Sequence, residues 1–278
     1  MSAETQIPTG AQPSLETMRL EIDGDVGTLI LDRPDDLNAM SPQMIAELAV
    51  IAPWLADRAP LRALVITGSG RAFSAGGDVT WFRKGLEDPE ADLVASVRQG
   101  ADVLHQAIVD FKRIPYPVIA AVNGPAAGAG FSLALMCDIR IASEASFFAV
   151  AYGRIGASPD GGMTYFLPRV IGPAKAAELM LEDPNLTAAD ALEWGLVSSV
   201  VPADELLDIA GAKARELAAK APHYMRMTKS LIWSSLDHSL ADHLQLERHG
   251  IAESMGTEDL SKAVPAFFAG ETPVFEGR

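Results

Sequence analysis

Two glycine-rich segments contain the residue types from which a main-chain anion site is built. The first is GSGRAFSAGGDV, residues Gly68 to Val79, and the second is AAVNGPAAGAGFSLALMCD, residues Ala120 to Asp138. Glycines adopt dihedral angles that other residues avoid, so each segment can turn a main-chain N–H outward. The second segment also leads into an apolar helix, whose first N–H groups lack intrahelical partners and favour negative charge. Each segment alone is typical of an ordinary connector, but the pair indicates a site for a developing anion.

Several other chemistries lack their motifs. The glycines at 124, 128 and 130 are not spaced as in the dinucleotide fingerprint, and no GK[ST] completes a phosphate loop. Ser132 lies outside a G-x-S-x-G nucleophile elbow, which argues against a serine hydrolase. No metal site is predicted, because the histidines of the C-terminal quarter lack metal-ligand spacing. These histidines are His223, His238, His243 and His249.

The charge balance argues against two classes of partner. Lys plus Arg total 22 against 37 Asp plus Glu, a formal charge of −15, so neither nucleic acid nor a membrane surface is an expected partner. No apolar run approaches the roughly 20 residues that span a bilayer. Cys137 is the single cysteine and the first residues do not resemble a secretory signal. We therefore expect a cytoplasmic protein without an intramolecular disulfide.

The elements that would position the two segments follow an α/β pattern. MRLEID and VGTLILD, separated by Gly24 and Asp25, predict a hairpin, and Ser41 with Pro42 predicts a helix start. Buried strands are predicted in LRALVITG, PVIAAV and DIRIAS, whereas from Ala203 onward only helical patterns remain. These patterns divide the chain into a loose leader (1–14), a core domain (15–202) and a C-terminal helical region (203–278). The Met, Trp and Phe residues of that last region suggest packing on a partner subunit.

Four motifs together resemble the enoyl-CoA hydratase/isomerase (crotonase) family: RPDDLNAMS, AFSAGGD, AAVNGPAAGAGFSLALMCDIRIAS and SPDGGMTYFLPRVIG. The resemblance extends from about Leu15 to Arg278. It implies an α/β fold, a crotonase-like spiral of ββα units with a C-terminal helical trimerisation region, assembled as a homotrimer or a dimer of trimers. It also implies an acyl-CoA substrate, with coenzyme A as part of that substrate and no separate cofactor.

The resemblance assigns roles to individual residues. The N–H groups of Gly77 and Ala129 would form an oxyanion hole for the thioester carbonyl, where an enolate develops. Residues that would bind substrate or the CoA moiety are Asp36, Leu37, Ala75, Asp78, Val79, Gly128, Ser132 and Tyr152. Basic residues considered for the CoA phosphates are Arg71, Arg83, Lys84 and Lys229. Family members often carry further basic residues where this chain has Asp35, Asp36, Glu271 and Thr272, which suggests fewer phosphate contacts.

The departures from the family pattern bear on the reaction. Family hydratases use two glutamates at the positions of Ser132 and Tyr152, neither of which is a ready base. Asp160 in SPDGG is ordinary turn chemistry by itself, but it matches the acid of family isomerases acting on 3-enoyl-CoA and epoxyphenylacetyl-CoA. We therefore expect an isomerase in which Asp160 moves a proton from C2 to C4. Three alternatives stay open: a hydratase using Asp160 with Ser132 or Tyr152, a nucleophilic Asp160, and a catalytically silent acyl-CoA binding module.

Overall fold

The computed structural model describes residues 11–278, so most of the predicted leader lies outside the described residues. In this part of the chain the strands are β1 (Met18–Asp23), β2 (Val26–Leu31), β3 (Ala63–Gly68), β4 (Val118–Val122), β5 (Ala126–Ala127), β6 (Ile139–Ser143), β7 (Phe147–Ala149), β8 (Leu186–Thr187) and β9 (Ser199–Val201). The helices are α1 (Pro42–Asp57), α2 (Val79–Glu87), α3 (Leu93–Arg113), α4 (Ala129–Met136), α5 (Met163–Ile171), α6 (Pro173–Glu182), α7 (Ala188–Glu193), α8 (Leu206–Ala218), α9 (Pro222–Ser234), α10 (Leu240–Met255) and α11 (Glu258–Ala269).

Two sheets organise the described residues. The larger has the order β1-β2-β3-β4-β6-β9, in which β1 and β2 form the predicted antiparallel hairpin and the later neighbours are parallel. The smaller has the order β5-β7-β8. It is extended by single bridges that pair Ser74 with Ala126 and Met40 with Gly77. Each ββα unit thus runs from a strand of the larger sheet through a short segment of the smaller sheet into a helix. This arrangement confirms the predicted ββα spiral.

Both faces of the larger sheet are buried. On β3, Leu64 and Ile66 face the main core, whereas Ala63 and Val65 face a second apolar cluster. The alternation follows from the two-residue period of a strand, and a strand covered on both sides reads as a continuous apolar run. The second cluster is closed by α8 through small and aliphatic side chains. Helix α8 therefore packs on the sheet as part of the core, although it belongs to the predicted C-terminal region.

The first core helix begins as its sequence predicts. Ser41 is the N-cap of α1, and its side chain accepts a hydrogen bond from Met44 N, with Pro42 as the first helical residue. Such a cap satisfies one of the N–H groups that a helix start leaves without a partner. Helix α1 then packs against α3, and residues of both helices share the main core with Leu64 and Ile66 of the sheet.

A buried ionic cluster joins the helical tail to the core. Asp138, directly before β6, accepts from Lys229 Nζ at 2.7 Å and from Trp233 Nε1 at 2.8 Å, both on α9. Lys112 of α3 lies 3.6 Å from the same carboxylate and 3.2 Å from the centre of the Trp233 ring. Burial lowers the pKa of Lys112 to about 7, against the opposing effect of Asp138. The cluster thus holds α9 on the core by charge as well as by apolar packing.

The last two helices expose large apolar side chains. Leu240, Ile251, Phe267 and Phe268 are more than half exposed, and the two phenylalanines are about 80% exposed. Exposed apolar surface of this kind is typical of an interface, which agrees with the predicted self-association without testing it.

Within residues 11–278 no helix is both long and apolar enough to cross a bilayer.

Candidate functional site

The first glycine-rich turn follows β3 and is held by main-chain hydrogen bonds to the chain before α1. Met40 N donates to Gly76 O at 2.7 Å, and Asp78 N donates to Met40 O at 3.2 Å. The buried Ser74 hydroxyl accepts from Gly76 N. Gly77 N lies between these fixed groups, and within the described residues it donates to no protein acceptor. The turn therefore presents one main-chain donor.

The second turn follows β5 and starts α4. Gly128 is the N-cap residue with φ of +50°, and its N–H donates to Ala149 O at 3.1 Å. Ala129 is the first residue of the helix, and its N–H likewise has no protein acceptor in the part of the chain that the structure describes. Since the first N–H groups of a helix favour negative charge, this donor suits an anionic oxygen.

The two turns lie against each other. Gly76 has φ of +91°, and a Cβ built on it would be 2.7 Å from Ala127 O and 3.2 Å from Ala129 N. Only glycine fits here, because any side chain would enter the space between the turns. Gly77 directly follows Gly76, so both predicted donors belong to chain segments in van der Waals contact. The structure thus brings Gly77 and Ala129 into one site.

The predicted acid lies beside the second turn. Tyr152 Oη donates to Asp160 Oδ1 at 2.6 Å, and Ser132 Oγ donates to the main-chain oxygen of Asp160 at 3.0 Å. Ser132 is one turn of α4 beyond Gly128, and the two oxygens of Ser132 and Tyr152 are 3.5 Å apart. Ser132 and Tyr152, at the positions that the resemblance assigns to the hydratase glutamates, therefore both contact Asp160. Ser132 contacts its main-chain oxygen, and Tyr152 contacts both that oxygen, at 3.3 Å, and the carboxylate.

The ionisation of Tyr152 is strongly disfavoured. Burial raises the pKa of its phenol, and the adjacent Asp160 carboxylate raises it further. The phenol therefore stays protonated and acts as a donor to Asp160. Such a charge-assisted hydrogen bond is short and fixes the orientation of the carboxylate.

The residues predicted along the CoA path meet at the first turn. Ala75 N donates to Leu37 O at 2.9 Å, which joins the loop before α1 to the glycine turn. Asp78 caps α2 by accepting from Thr80 N and Trp81 N. Asp36 and Val79 are exposed at the edge of this region. Leu37 and Ala75 are thus engaged through main-chain groups, Asp78 through helix capping, and Asp36 through its main chain and an ion pair with Arg33.

The basic residues considered for phosphate contacts differ in their placement. Arg71, Arg83 and Lys84 are exposed, the first in the turn after β3 and the other two on α2, where Arg83 lies 3.9 Å from Glu87 in a solvent-exposed pair. Lys229 instead belongs to the buried cluster around Asp138, where its side chain is 9% exposed. A phosphate role for Lys229 would require breaking that ion pair, so the structure argues against it.

Three supporting residues were not predicted from the sequence. Asn38 is fully buried, accepts from Arg33 N and donates to Ser69 O and Ala72 O, which holds the chain that leads into the first turn. Arg33 bridges Asp36 and Asp78 at 2.6 and 3.2 Å. Both residues lie within the RPDDLNAMS motif, which is the signal that could have identified them. His105 of α3 accepts from Gly161 N at 3.3 Å, and no local motif marks it.

A cavity of about 330 Å³ lies elsewhere, among α8, α9 and the residues preceding β3 and β4. Leu61 and Tyr116 are in its wall, at the amino ends of parallel strands whose carboxyl ends lead to the glycine turns. It contains none of the predicted site residues. In the described residues no cluster of His, Cys, Asp or Glu has a geometry that would hold a metal ion.

Comparison with known proteins identifies the arrangement. The family model described as enoyl-CoA hydratase/isomerase matches residues 21–278. The chain belongs to the enoyl-CoA hydratase/isomerase family. This enzyme is 36% identical over 264 residues to 1,2-epoxyphenylacetyl-CoA isomerase of Escherichia coli (strain K12), covering 95% of this chain and 100% of that relative. It is also 36% identical over 265 residues to a Dictyostelium discoideum protein named "Probable enoyl-CoA hydratase, mitochondrial", covering 94% and 91% of the two chains.

Solved structures agree with this assignment. A structure from Streptomyces coelicolor A3(2) matches with a TM-score of 0.91 and 34% identity over 100% of both chains. An enoyl-CoA hydratase from Bacillus anthracis matches with a TM-score of 0.87 and 30% identity, covering 95% of this chain and 100% of that one. The predicted fold class, the spiral with a helical C-terminal region, is therefore confirmed. Among family members both isomerase and hydratase names occur, so membership alone leaves the reaction open.

Proposed function

We propose that this family member is an enoyl-CoA isomerase that moves a double bond through a thioester enolate, with Asp160 as the single base. The observation that carries the proposal is the hydrogen bond from Tyr152 Oη to Asp160 Oδ1, which places one oriented carboxylate beside the Ala129 turn. Gly77 N–H and Ala129 N–H would receive the thioester oxygen, as the family resemblance implies.

The reaction needs only one proton carrier. The Asp160 carboxylate takes a proton from C2 of a 3-enoyl-CoA, and the electrons of that C–H bond delocalise onto the thioester oxygen. The two main-chain donors stabilise this developing negative charge, each by roughly 3–4 kcal/mol. The Asp160 carboxylic acid then returns the proton to C4, and the double bond moves to C2–C3. Proton and electrons balance without a cofactor or a second ionisable group.

A second candidate is hydration of a 2-enoyl-CoA. The Tyr152 phenol lies within hydrogen-bond distance of both the Ser132 hydroxyl and the Asp160 carboxylate, a combination that can orient a water molecule. Several relatives also carry hydratase names. Against it, the two glutamates of family hydratases are replaced here by Ser132 and Tyr152.

One assay separates the candidates. Purified protein is incubated separately with a 3-enoyl-CoA and a 2-enoyl-CoA, and products are analysed by mass spectrometry and ultraviolet absorbance. An isomerase converts the first into its conjugated isomer at unchanged mass. A hydratase adds one water to the second. Turnover of the second substrate alone would refute the isomerase proposal, and binding without turnover of either would favour a silent acyl-CoA module.

We also propose that the chain forms a homotrimer or a dimer of trimers in the cytoplasm. The exposed apolar residues of α10 and α11 support self-association. Light scattering coupled to size exclusion measures the mass directly. A monomer at micromolar concentration would contradict this proposal.

A further inference from the structure

The peptide unit between Asp160 and Gly161 is held at both ends. Its carbonyl oxygen accepts from Ser132 Oγ at 3.0 Å and from Met163 N at 3.1 Å. Its N–H, on Gly161, donates to His105 Nε2 at 3.3 Å. Since a peptide unit is planar, these bonds fix its orientation and with it the position of the Asp160 Cα, from which the side chain starts.

The turn itself depends on this support. Gly161 has φ of +61° and Gly162 has φ of +81°, so two successive residues adopt the left-handed conformation. A Cβ on Gly161 would lie 3.0 Å from Ser132 Cβ, which shows how closely the turn lies on α4. Two adjacent glycines are flexible in the absence of contacts. Tyr152 Oη contacts the Asp160 carboxylate and also lies 3.3 Å from its main-chain oxygen, whereas the N–H on the other side of the peptide is held by His105 alone among the described residues.

We infer that His105 is a positioning residue for Asp160, an inference that rests on the proposed role of Asp160 as base. Its imidazole accepts through an unprotonated Nε2 and keeps the Asp160–Gly161 peptide in one orientation. The side chain is exposed on α3 and lies outside the glycine turns. It acts through Gly161 N–H, so it sets the position of the carboxylate and does not carry the transferred proton. A displacement of about 1 Å in a reacting group can reduce turnover by up to about 100-fold.

Two substitutions test the acceptor specifically. In His105→Gln the amide oxygen stands the same number of bonds from Cα as Nε2 and can accept from Gly161 N. In His105→Asn the amide is one bond shorter and cannot reach. We expect His105→Asn to lower kcat by about 10-fold with KM within about 2-fold of wild type, and His105→Gln to restore kcat to within about 2-fold.

A second measurement does not depend on catalysis. Hydrogen–deuterium exchange of peptides containing Gly161 should be faster in His105→Asn than in wild type and slow again in His105→Gln. Wild-type kcat in His105→Asn, or equal loss in both variants, would overturn the inference. If Asp160→Asn kept full turnover, the proposed function would fail, whereas the exchange experiment would still decide whether His105 holds the turn.

Discussion

Replacing Asp160 by asparagine removes the proposed base with little change of shape. The amide oxygen can still accept from Tyr152 Oη, which lies 2.6 Å from Oδ1. The contacts from Ser132 and Met163 go to the main-chain oxygen and are unaffected. The one folding contact that weakens is the phenol hydrogen bond, which loses its charge. Hydrogen bonds to charged groups exceed neutral ones by about 1 kcal/mol, so the free energy of unfolding should fall by about that amount.

The effect on catalysis should be much larger. Removing a general base lowers turnover by about 10²- to 10⁴-fold, equivalent to roughly 3–5 kcal/mol of activation free energy. A loss of about 1 kcal/mol in stability shifts the thermal midpoint of a chain this size by about 2–4 °C. The assay compares kcat for 3-enoyl-CoA isomerisation, thermal midpoint and acyl-CoA affinity in the two proteins. We expect affinity to stay within about 3-fold, because the carboxylate acts in the chemical step.

Tyr152→Phe is the matched control, since it removes the donor to Asp160 and leaves the carboxylate. If Asp160 is the only proton carrier, this variant should lose no more than about 30-fold in kcat, because a hydrogen bond to a charged group is worth about 2 kcal/mol. Near wild-type turnover in Asp160→Asn, with folding intact, would refute the single-base mechanism. Equal losses in both variants would point instead to a role for the phenol in proton transfer.

Three further predictions test the surrounding structure. Gly77→Pro should lower kcat/KM by about 10²- to 10³-fold, because proline has no N–H and removes the proposed oxyanion donor. Gly77→Ala keeps the N–H, so its kcat/KM should stay within about 10-fold of wild type. Equal kcat/KM values for the two variants would exclude this donor. Asn38→Ala should reduce the free energy of unfolding in urea by about 2 kcal/mol, because Ser69 O loses its side-chain donor and Arg33 N its acceptor, whereas Ala72 O keeps Asn123 Nδ2 at 3.2 Å. A change below about 1 kcal/mol would contradict that reasoning. For Lys112, with a folded pKa of about 7 against an ordinary 10.5, the unfolded chain binds a proton that the folded chain has released, so stability should rise from pH 7 to pH 9. In Lys112→Met the free energy of unfolding should rise less between pH 7 and pH 9. If it rises as much as in wild type, a group other than Lys112 causes the pH dependence.

Much of the fold was accessible to sequence reasoning because its signals are local. The hairpin at Gly24, the N-cap at Ser41 and the buried strand that becomes β3 each depend on neighbouring residues, and each is confirmed. That the two glycine turns lie close together was predicted only from the family resemblance. No local sequence pattern indicates that Gly76 lies against Ala129. Contacts between residues far apart in the sequence become visible only in the folded structure.

The supporting residues were missed for the same physical reason. Asn38 in isolation is typical of a turn, and its burial between two segments about thirty residues apart has no local signal. His105 lies on an exposed helix face and meets Gly161 only because α3 packs against α4. Lys229 was considered for phosphate binding from its charge alone, whereas the fold commits it to Asp138.

Helix α4 is short, and all eight of its residues are buried. Its first residue supplies the Ala129 N–H, while Met136 O at its last turn accepts from Lys112, next to Asp138. A helix of this length spans only about 12 Å, so the proposed oxyanion donor is held from the far end by the same charges that attach the tail. If the proposed function holds, exposed segments such as 84–96 can change to suit different acyl groups, while the proposed docking point of the thioester stays in one place.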